Sequence, residues 1–405
     1  MGSWKDLPRE ILVHVFRSYL ITENQKRLLR TVAPVCLEWE EACMDSYLWY
    51  TFDGHLNFLE LKELSLKGYL QHTEILKFSH INDQHSVIEF DEIFSGLPKL
   101  KYINVNKIKK SQKNVFQSLM NHCFKLSEID FSGKFQVHIN FEIIQEFLHI
   151  RGSALTGINL SNVHLVNAEK CLKNIAACCP NLQQLSLLNI DCNRILFPLF
   201  DFQAQCSSLK LLRMGPRVKI QAKNSISFPG FPELEVFSFI IEMEYFGDEQ
   251  LKKILFNSTK LQYLELQGSS NLSVRSLIQL PANLLENFIL TKSNICASQH
   301  VYELFTKWHQ SLKFIDVSGM KGEFINEAVL GLLPPGSKSS VRGINLSGTQ
   351  ITAFTVKKLI ELCDDLQMLR LDSCRKLQRG MKQAFIGKSE LQYLLKKISE
   401  ECADC

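Results

Sequence analysis

The chain has 405 residues, of which 45% are hydrophobic, and carries a formal net charge of +4. A charge this small over this length gives no electrostatic sign of nucleic-acid binding, and no apolar run approaches the roughly twenty residues of a transmembrane helix. The length alone would suggest two or three ordinary domains.

The first fifty residues are expected to form a short helical module. Pro8 suits the first position of a helix, because its fixed φ is already helical, and Glu10 lies in the first turn, where the helix dipole favours an anion. Apolar residues then recur at helical spacing in two stretches: Ile11, Leu12, Val15, Phe16, Tyr19 and Leu20, and then Leu28, Leu29, Val32, Val35, Cys36 and Trp39. So short a module buries only a small core, so some of these side chains must face a neighbouring domain or a partner.

The spacing of these residues resembles that of the F-box. Three segments carry the resemblance: Leu7-Pro8-x-Glu10-Ile11-Leu12 with Val15-Phe16-x-x-Tyr19-Leu20, then Val35-Cys36-x-x-Trp39, and finally Leu48-Trp49. The resemblance implies a three-helix domain over residues 1–52 that binds a Skp-type adaptor and, through it, cullin and RING subunits. The adaptor-binding residues that it implies are Leu7, Pro8, Ile11, Leu12, Val15, Phe16, Leu20, Val35, Cys36, Trp39, Leu48 and Trp49. Fifteen positions separate Leu20 from Val35, more than in the usual F-box, which predicts a longer loop over residues 21–27.

An apolar repeat begins at about residue 53. It consists of one apolar residue, a second three positions later and a third two positions after that, and it occurs twelve times at intervals of 24 to 29 residues. The central residues of the twelve repeats are Leu76, Ile103, Ile129, Ile158, Leu185, Leu212, Phe237, Leu264, Phe288, Ile315, Ile344 and Leu369. Recurrence at such a period is typical of leucine-rich repeats.

The spacing of the repeat predicts an α/β fold. Residues two apart point to the same side of a strand, and each return segment has room for a helix, so parallel strands should line the inside of a horseshoe with helices outside. The array is expected to cover residues 53–377 as one domain, because no single repeat can bury its own core. Two irregular loops are predicted at residues 215–231 and 333–340, each more simply a spacer than a functional segment.

Beyond the last repeat, residues 378–405 are predicted to form a capping helix and tail, with Gln383, Ala384 and Phe385 at the start of the apolar pattern. The tail segment 372–382 and the spacing between Leu20 and Val35 point to one branch of the F-box/LRR-repeat proteins.

The inner strand positions beside the buried residues should form a recognition surface. Strand alternation predicts one exposed apolar band with two charged neighbours, and these are the candidate substrate-binding residues: Leu188, Leu211, Arg213, Val236, Ile240, Tyr263 and Glu265. A band of this kind with polar neighbours is characteristic of interaction surfaces. The alternative is that the 215–231 loop or the tail folds over it.

No residue pattern indicates catalysis, a metal site or a cofactor. The thirteen cysteines are scattered among apolar residues, and without a signal-peptide pattern they are interpreted as reduced, buried side chains. Asp6 argues against myristoylation of Gly2, and Asp404 argues against prenylation of Cys402. The lysines at 107, 109, 110 and 113 fit a solvated loop better than a nuclear signal or a nucleic-acid patch.

These observations predict the substrate-recognition subunit of an SCF-type ubiquitin ligase, cytoplasmic or nuclear, that directs an unidentified protein to proteasomal degradation. Two alternatives stay open: a scaffold that binds the adaptor without supporting ubiquitin transfer, and a repeat-protein inhibitor or adaptor whose N-terminal helices only cap the array.

Overall fold

The computed structural model describes residues 7–53, 56–78, 85–106, 108, 111–133, 137–139, 141–191, 194–220, 229–240, 246–269, 271–378 and 383–401. The chain divides into two compact units, Met1–Cys192 and Asn193–Cys405. The division lies inside the predicted array, and the domain boundaries at residues 52 and 377 stay predictions.

The first unit begins with a helical module built from α1 (Arg9–Thr22), α2 (Gln25–Arg27) and α3 (Leu37–Cys43). Helix α1 begins directly after Pro8, whose carbonyl accepts hydrogen bonds from the amides of Ile11 and Leu12 at 3.0 and 3.1 Å. The apolar core of the module includes Leu12, Phe16, Leu28 and Ala42.

Two predictions for this module are wrong. Residues 21–27 form no long loop, because α1 continues to Thr22 and the side chain of Asn24 caps α2 by accepting from the Arg27 amide at 3.1 Å. The second apolar stretch is no continuous helix: it runs through a π-helical turn (Leu28–Val32) and a 3₁₀ turn (Ala33–Val35) before α3. Pro34 lacks an amide hydrogen, and Cys36 is extended at φ −165° and ψ 169°, so the helix stops there.

The rest of the first unit is a parallel sheet with helices on one face. The sheet contains, in spatial order, β1 (Thr51–Asp53), β2 (Ile75–Lys77), β3 (Tyr102–Asn104), β4 (Glu128–Asp130), β6 (Gly157–Asn159) and β8 (Gln184–Leu187). A separate parallel pair joins β5 (Val137–Ile139) to β7 (Val163–Leu165). The helices are α4 (Phe58–Leu66), α5 (Val87–Phe94), α6 (Gln112–His122), α7 (Phe141–Arg151) and α8 (Ala168–Cys178). Strand β1 precedes the first predicted repeat and was not expected.

The second unit has the same layers. Its sheet contains, in spatial order, β10 (Leu211–Met214), β12 (Val236–Ile240), β13 (Tyr263–Gln267), β14 (Asn287–Ile289), β15 (Phe314–Asp316), β16 (Gly343–Asn345), β17 (Met368–Arg370) and β18 (Ala384–Ile386). A parallel pair joins β9 (Ile195–Phe197) to β11 (Val218–Ile220). The helices are α9 (Leu199–Gln205), α10 (Asp248–Leu255), α11 (Val274–Ile278), α12 (Val301–Trp308), α13 (Ile325–Gly331), α14 (Ala353–Leu362) and α15 (Lys388–Glu401).

The predicted repeat positions are confirmed. Each of the twelve central apolar residues lies in a strand, and each is buried. Phe288 of β14 shows how the core forms: its ring lies 5.5 Å from that of Trp308 on α12, centroid to centroid. Since the helices cover the face that carries these residues, no helix of the described ranges lies on the opposite face of each sheet. We call it the open sheet face.

Two details of the second unit differ from expectation. Part of the predicted irregular loop at 215–231 is the strand β11, while residues 221–228 lie outside the described ranges. Ala384 and Phe385 belong to strand β18, not to the last helix, and β18 runs antiparallel to β17. This pairing satisfies the backbone groups along the edge of β17, and helix α15 begins only after Gly387, whose φ is +86°. The segment 333–340 is irregular, as expected.

Most of the cysteines that the structure describes are buried, as the sequence predicted. Burial raises the pKa of the Cys43, Cys123 and Cys206 thiols to about 12, so these thiols stay protonated near neutral pH. Cys402 and the lysines at 107, 109 and 110 lie outside the described ranges. No helix of the described ranges is long and apolar enough to span a membrane.

Trp49 joins the helical module to the first strands of its unit. Its indole nitrogen donates a hydrogen bond to the carbonyl of Cys43, and its ring lies 6.3 Å from Phe52 of β1 and 5.5 Å from Tyr69. The residue was expected to bind the adaptor, but it is fully buried within the chain. Its role in the structure is therefore to hold the module against the sheet.

Replacing Trp49 with Ala should lower the free energy of unfolding by about 3–5 kcal/mol, because it leaves a large cavity and removes the hydrogen bond to Cys43. Urea unfolding followed by circular dichroism measures the change. The matched control is Tyr50→Ala, because Tyr50 is the adjacent aromatic residue and is 49% exposed. Equal shifts of the two unfolding midpoints would contradict the structural role of Trp49.

Candidate functional site: two interaction surfaces

The helical module exposes apolar side chains on one side of α1 and on the 3₁₀ turn. Ile11 is 49% exposed and Val15 is 43% exposed, and the two lie one helical turn apart. Val35, in the 3₁₀ turn, is 52% exposed, and Pro8 is exposed as well. These four predicted residues are therefore available to a partner.

The other predicted adaptor residues are less accessible. Leu12, Phe16, Leu48 and Trp49 are buried in the chain's own core, so they can hold the surface in place but cannot form it. Leu7, Leu20, Cys36 and Trp39 are half-buried. Helical spacing identifies which residues are apolar, whereas burial in so short a module depends on how its turns pack against one another.

Trp39 is half-buried and contacts the buried core of the helical module. Its ring packs edge-on against Phe16 at 5.3 Å, and its indole N–H is shielded from solvent without an acceptor among the described residues. Leaving such a donor unpaired costs free energy, so an acceptor supplied by a partner would stabilise a complex here.

Sequence reasoning missed several exposed apolar residues of the same module. They are Ile21, Leu37, Met44 and Tyr47. Leu37 could have been found, because it is an apolar residue at the start of α3 just after the turn that carries Val35. The ring of Tyr47 lies 4.1 Å from the guanidinium carbon of Arg17.

On the open sheet face of the second unit, three predicted apolar residues lie side by side. Leu211, Val236 and Tyr263 are register partners on β10, β12 and β13. These side chains are half-buried, whereas the sequence predicted them to be exposed. The strands lie about 4.8 Å apart, so neighbouring side chains cover one another. Ile240 is also half-buried and pairs with Gln267 at the ends of β12 and β13.

Leu188 belongs to the first unit and follows β8. Its side chain is half-buried, and its amide donates to the hydroxyl of Ser161 at 3.2 Å. Its predicted place in the substrate-binding band stays a prediction.

A polar cluster adjoins the apolar residues of the second unit. Arg213, Ser238 and Glu265 are register partners on β10, β12 and β13. The hydroxyls of Ser238 and Tyr263 both donate to the same Glu265 carboxylate oxygen, at 2.7 and 3.2 Å. Burial, reinforced by the Glu265 carboxylate, raises the pKa of Tyr263 to about 12, so this hydroxyl stays a proton donor at neutral pH.

Elsewhere on the open sheet faces, the equivalent polar residues have a structural role. Five side chains accept a hydrogen bond from the amide two residues further on, at 2.7 to 3.1 Å, and so turn the chain away at the strand end: Asn104, Asp130, Asn159, Asp316 and Asn345. Each of these strands has three residues. The four longer strands, β8, β10, β12 and β13, carry Ser186, Arg213, Ser238 and Glu265 at that position.

The comparisons with known proteins agree with this architecture. Residues 4–55 match the F-box-like family model. The fold is similar to that of a solved yeast complex of Rad7 and Elc1, with 18% sequence identity, a TM-score of 0.55, and coverage of 96% of this chain and 85% of the matched chain. No curated protein matches the sequence. The chain therefore carries an F-box-like domain at its N-terminus, followed by parallel strands and helices in a fold similar to that of the yeast protein.

Proposed function

We propose that the chain is the substrate-recognition subunit of an SCF-type E3 ubiquitin ligase. Its F-box-like domain binds a Skp-type adaptor, which connects it to cullin and RING subunits. The observation that carries this proposal is the group of exposed apolar side chains within that domain, Ile11, Val15 and Val35. The yeast structure of similar fold is itself a complex of two proteins, which supports an adaptor partner for this chain.

The repeats, which we interpret as leucine-rich repeats, supply the substrate-binding surface. The open sheet face around Leu211, Val236 and Tyr263 combines apolar side chains with the polar cluster at Glu265. The chain contributes no catalytic group. It raises the effective concentration of substrate lysines near a ubiquitin-conjugating enzyme that other subunits recruit, in the cytoplasm or the nucleus.

A narrower proposal is F-box/LRR-repeat protein 6, which the segment 372–382 resembles in sequence. The spacing between Leu20 and Val35 does not favour that protein, because α1 extends to Thr22 and α2 covers Gln25–Arg27 where a long loop was expected.

Reconstitution tests the proposal. The full chain should co-purify with a recombinant Skp-type adaptor, and the complex with cullin, RING subunit and ubiquitin-conjugating enzyme should ubiquitinate a protein that the chain captures. Failure to bind the adaptor would show that the helices only cap the repeats. Binding without ubiquitin transfer would show a scaffold.

A further inference from the structure

Arg213 is a half-buried cation without an anionic partner among the described residues. It lies in the centre of β10, and it forms no hydrogen bond or ion pair with any residue that the structure describes. Other basic residues near the sheet of this unit do have partners. The distance from Nζ of Lys210 to Oε1 of Glu235 is 3.9 Å, and the distance from Nζ of Lys313 to Oε1 of Glu286 is 2.5 Å. Partial burial of an unpaired guanidinium is unfavourable, so this position would gain from an external anion.

The Glu265 carboxylate, in register with Arg213 across β12, forms no ion pair with it. Glu265 is two strands away in register, and one of its oxygens already accepts from Ser238 and Tyr263. These two hydroxyls hold the carboxylate in place on the sheet. The structure thus separates a fixed negative group from an unpaired positive one on the same face.

Apolar side chains lie next to Arg213. Leu211 is two residues away on the same strand and so on the same face of the sheet, and Val236 is its register partner on β12. A ligand that fits this surface must place an anion and an apolar group a few ångströms apart. A segment of protein chain does this with two nearby side chains.

We infer that this face of the second unit binds a protein segment that places an Asp or Glu carboxylate on Arg213 and a large apolar side chain on Leu211 and Val236. The inference rests on the proposed function, in which this face binds the substrate, and it specifies the chemistry of the bound segment.

A carboxylate fits better than a phosphate. Phosphorylated segments are held by clusters of arginines, whereas Arg213 is the one arginine within β10, β12 and β13. The Glu265 carboxylate nearby repels a dianion more strongly than a monoanion. A planar carboxylate can also accept two parallel hydrogen bonds from one guanidinium.

The experiment uses the full chain bound to its adaptor and a displayed library of short random peptides. Peptides that bind the wild-type chain but not the double variant Leu211→Asp/Val236→Asp report on this face. We expect them to combine Asp or Glu with a large apolar residue. One such peptide is then synthesised with its acidic residue intact, changed to the amide, or replaced by phosphoserine.

Fluorescence anisotropy should show that Arg213→Gln lowers the affinity for the acidic peptide by about tenfold or more and leaves the affinity for the amide peptide unchanged. Arg213→Lys should restore part of the affinity, because the charge returns without the bidentate geometry. The matched control is Arg370→Gln, because Arg370 is the last residue of β17, six strands further along the same sheet. It should bind the acidic peptide like the wild type.

Each contrary result has a distinct meaning. If Arg213→Gln affects the acidic and amide peptides equally, the acidic chemistry is wrong while the face remains a binding site. If no selected peptide depends on Leu211 and Val236, the proposed substrate surface itself is wrong. If the phosphoserine peptide binds more tightly and this binding depends on Arg213, the anion that Arg213 binds is a phosphate and not a carboxylate.

The chain has its own acidic residues after β12, Glu242 and Glu244. If an external segment supplies the carboxylate to Arg213, the variant Glu242→Gln/Glu244→Gln should bind the acidic peptide with unchanged affinity. A clear gain in affinity would overturn the inference, because it would show that this segment, and not an external one, supplies the carboxylate to Arg213.

Discussion

Replacing Ile11 and Val15 with Glu should abolish binding of a Skp-type adaptor and leave the chain folded. Both side chains are exposed on α1, so the change adds charge to the surface without opening the core, and Glu is a good helix former. Truncating a central interface residue typically costs about 2 kcal/mol or more, and two charges buried against an apolar partner cost further. Co-purification with the recombinant adaptor measures the loss.

The matched control is Ile88→Glu, since Ile88 is 72% exposed at the start of α5 and lies outside the helical module. It should bind the adaptor normally. Circular dichroism and thermal unfolding confirm that both variants are folded. If the double variant retains full adaptor binding, the exposed side of α1 is not the interface, and the domain must use Leu37 and its neighbours instead.

Replacing Leu211 and Val236 with Asp should remove substrate capture and leave adaptor binding intact. The two residues are register partners among the half-buried apolar residues of the open sheet face, so both charges fall on the proposed contact area. The measurement is proximity labelling under cullin and proteasome inhibition. Proteins that the wild-type chain labels through its repeats should no longer be labelled by the double variant. Adaptor co-purification should stay at the wild-type level.

Two further variants support the interpretation. Val236→Thr keeps the shape of the side chain and the strand propensity, so it should fold even if the Asp pair perturbs the sheet. The control Phe256→Asp/Leu284→Asp adds the same charge at two exposed apolar residues of the second unit. If the control loses the labelled proteins as completely as the sheet variant does, the loss reflects charge and not the open sheet face.

The repeat positions could be predicted because their physics is local. An apolar residue followed by others three and two positions later can only place the last two on one side of a strand, and all twelve predictions correspond to strands. The structural role of the polar residues also has a sequence signal, although it was not among the predictions. Asn or Asp, an apolar residue and then Ser recur at 130–132, 159–161, 316–318 and 345–347, where they end the strands.

The candidate surfaces could be predicted only in part. Strand alternation correctly brought Leu211, Val236 and Tyr263 together, but it treated them as exposed, whereas neighbouring strands half-cover them. The sequence correctly placed Arg213 and Glu265 on this face. It could not show that Glu265 accepts two hydrogen bonds while Arg213 has no partner among the described residues, because this depends on which side chains reach each other across strands.

The sequence by itself therefore determined the F-box-like pattern, the α/β repeat and the central residue of the twelve repeat strands, because periodicity and chain direction decide which way a side chain points. Tertiary structure decided what those side chains do. In the helical module, packing buried Leu12, Phe16 and Trp49 and left Ile11 and Val15 in solvent. At the end of the second unit, residues with helical spacing formed a strand, because the unpaired edge of β17 had backbone groups to satisfy.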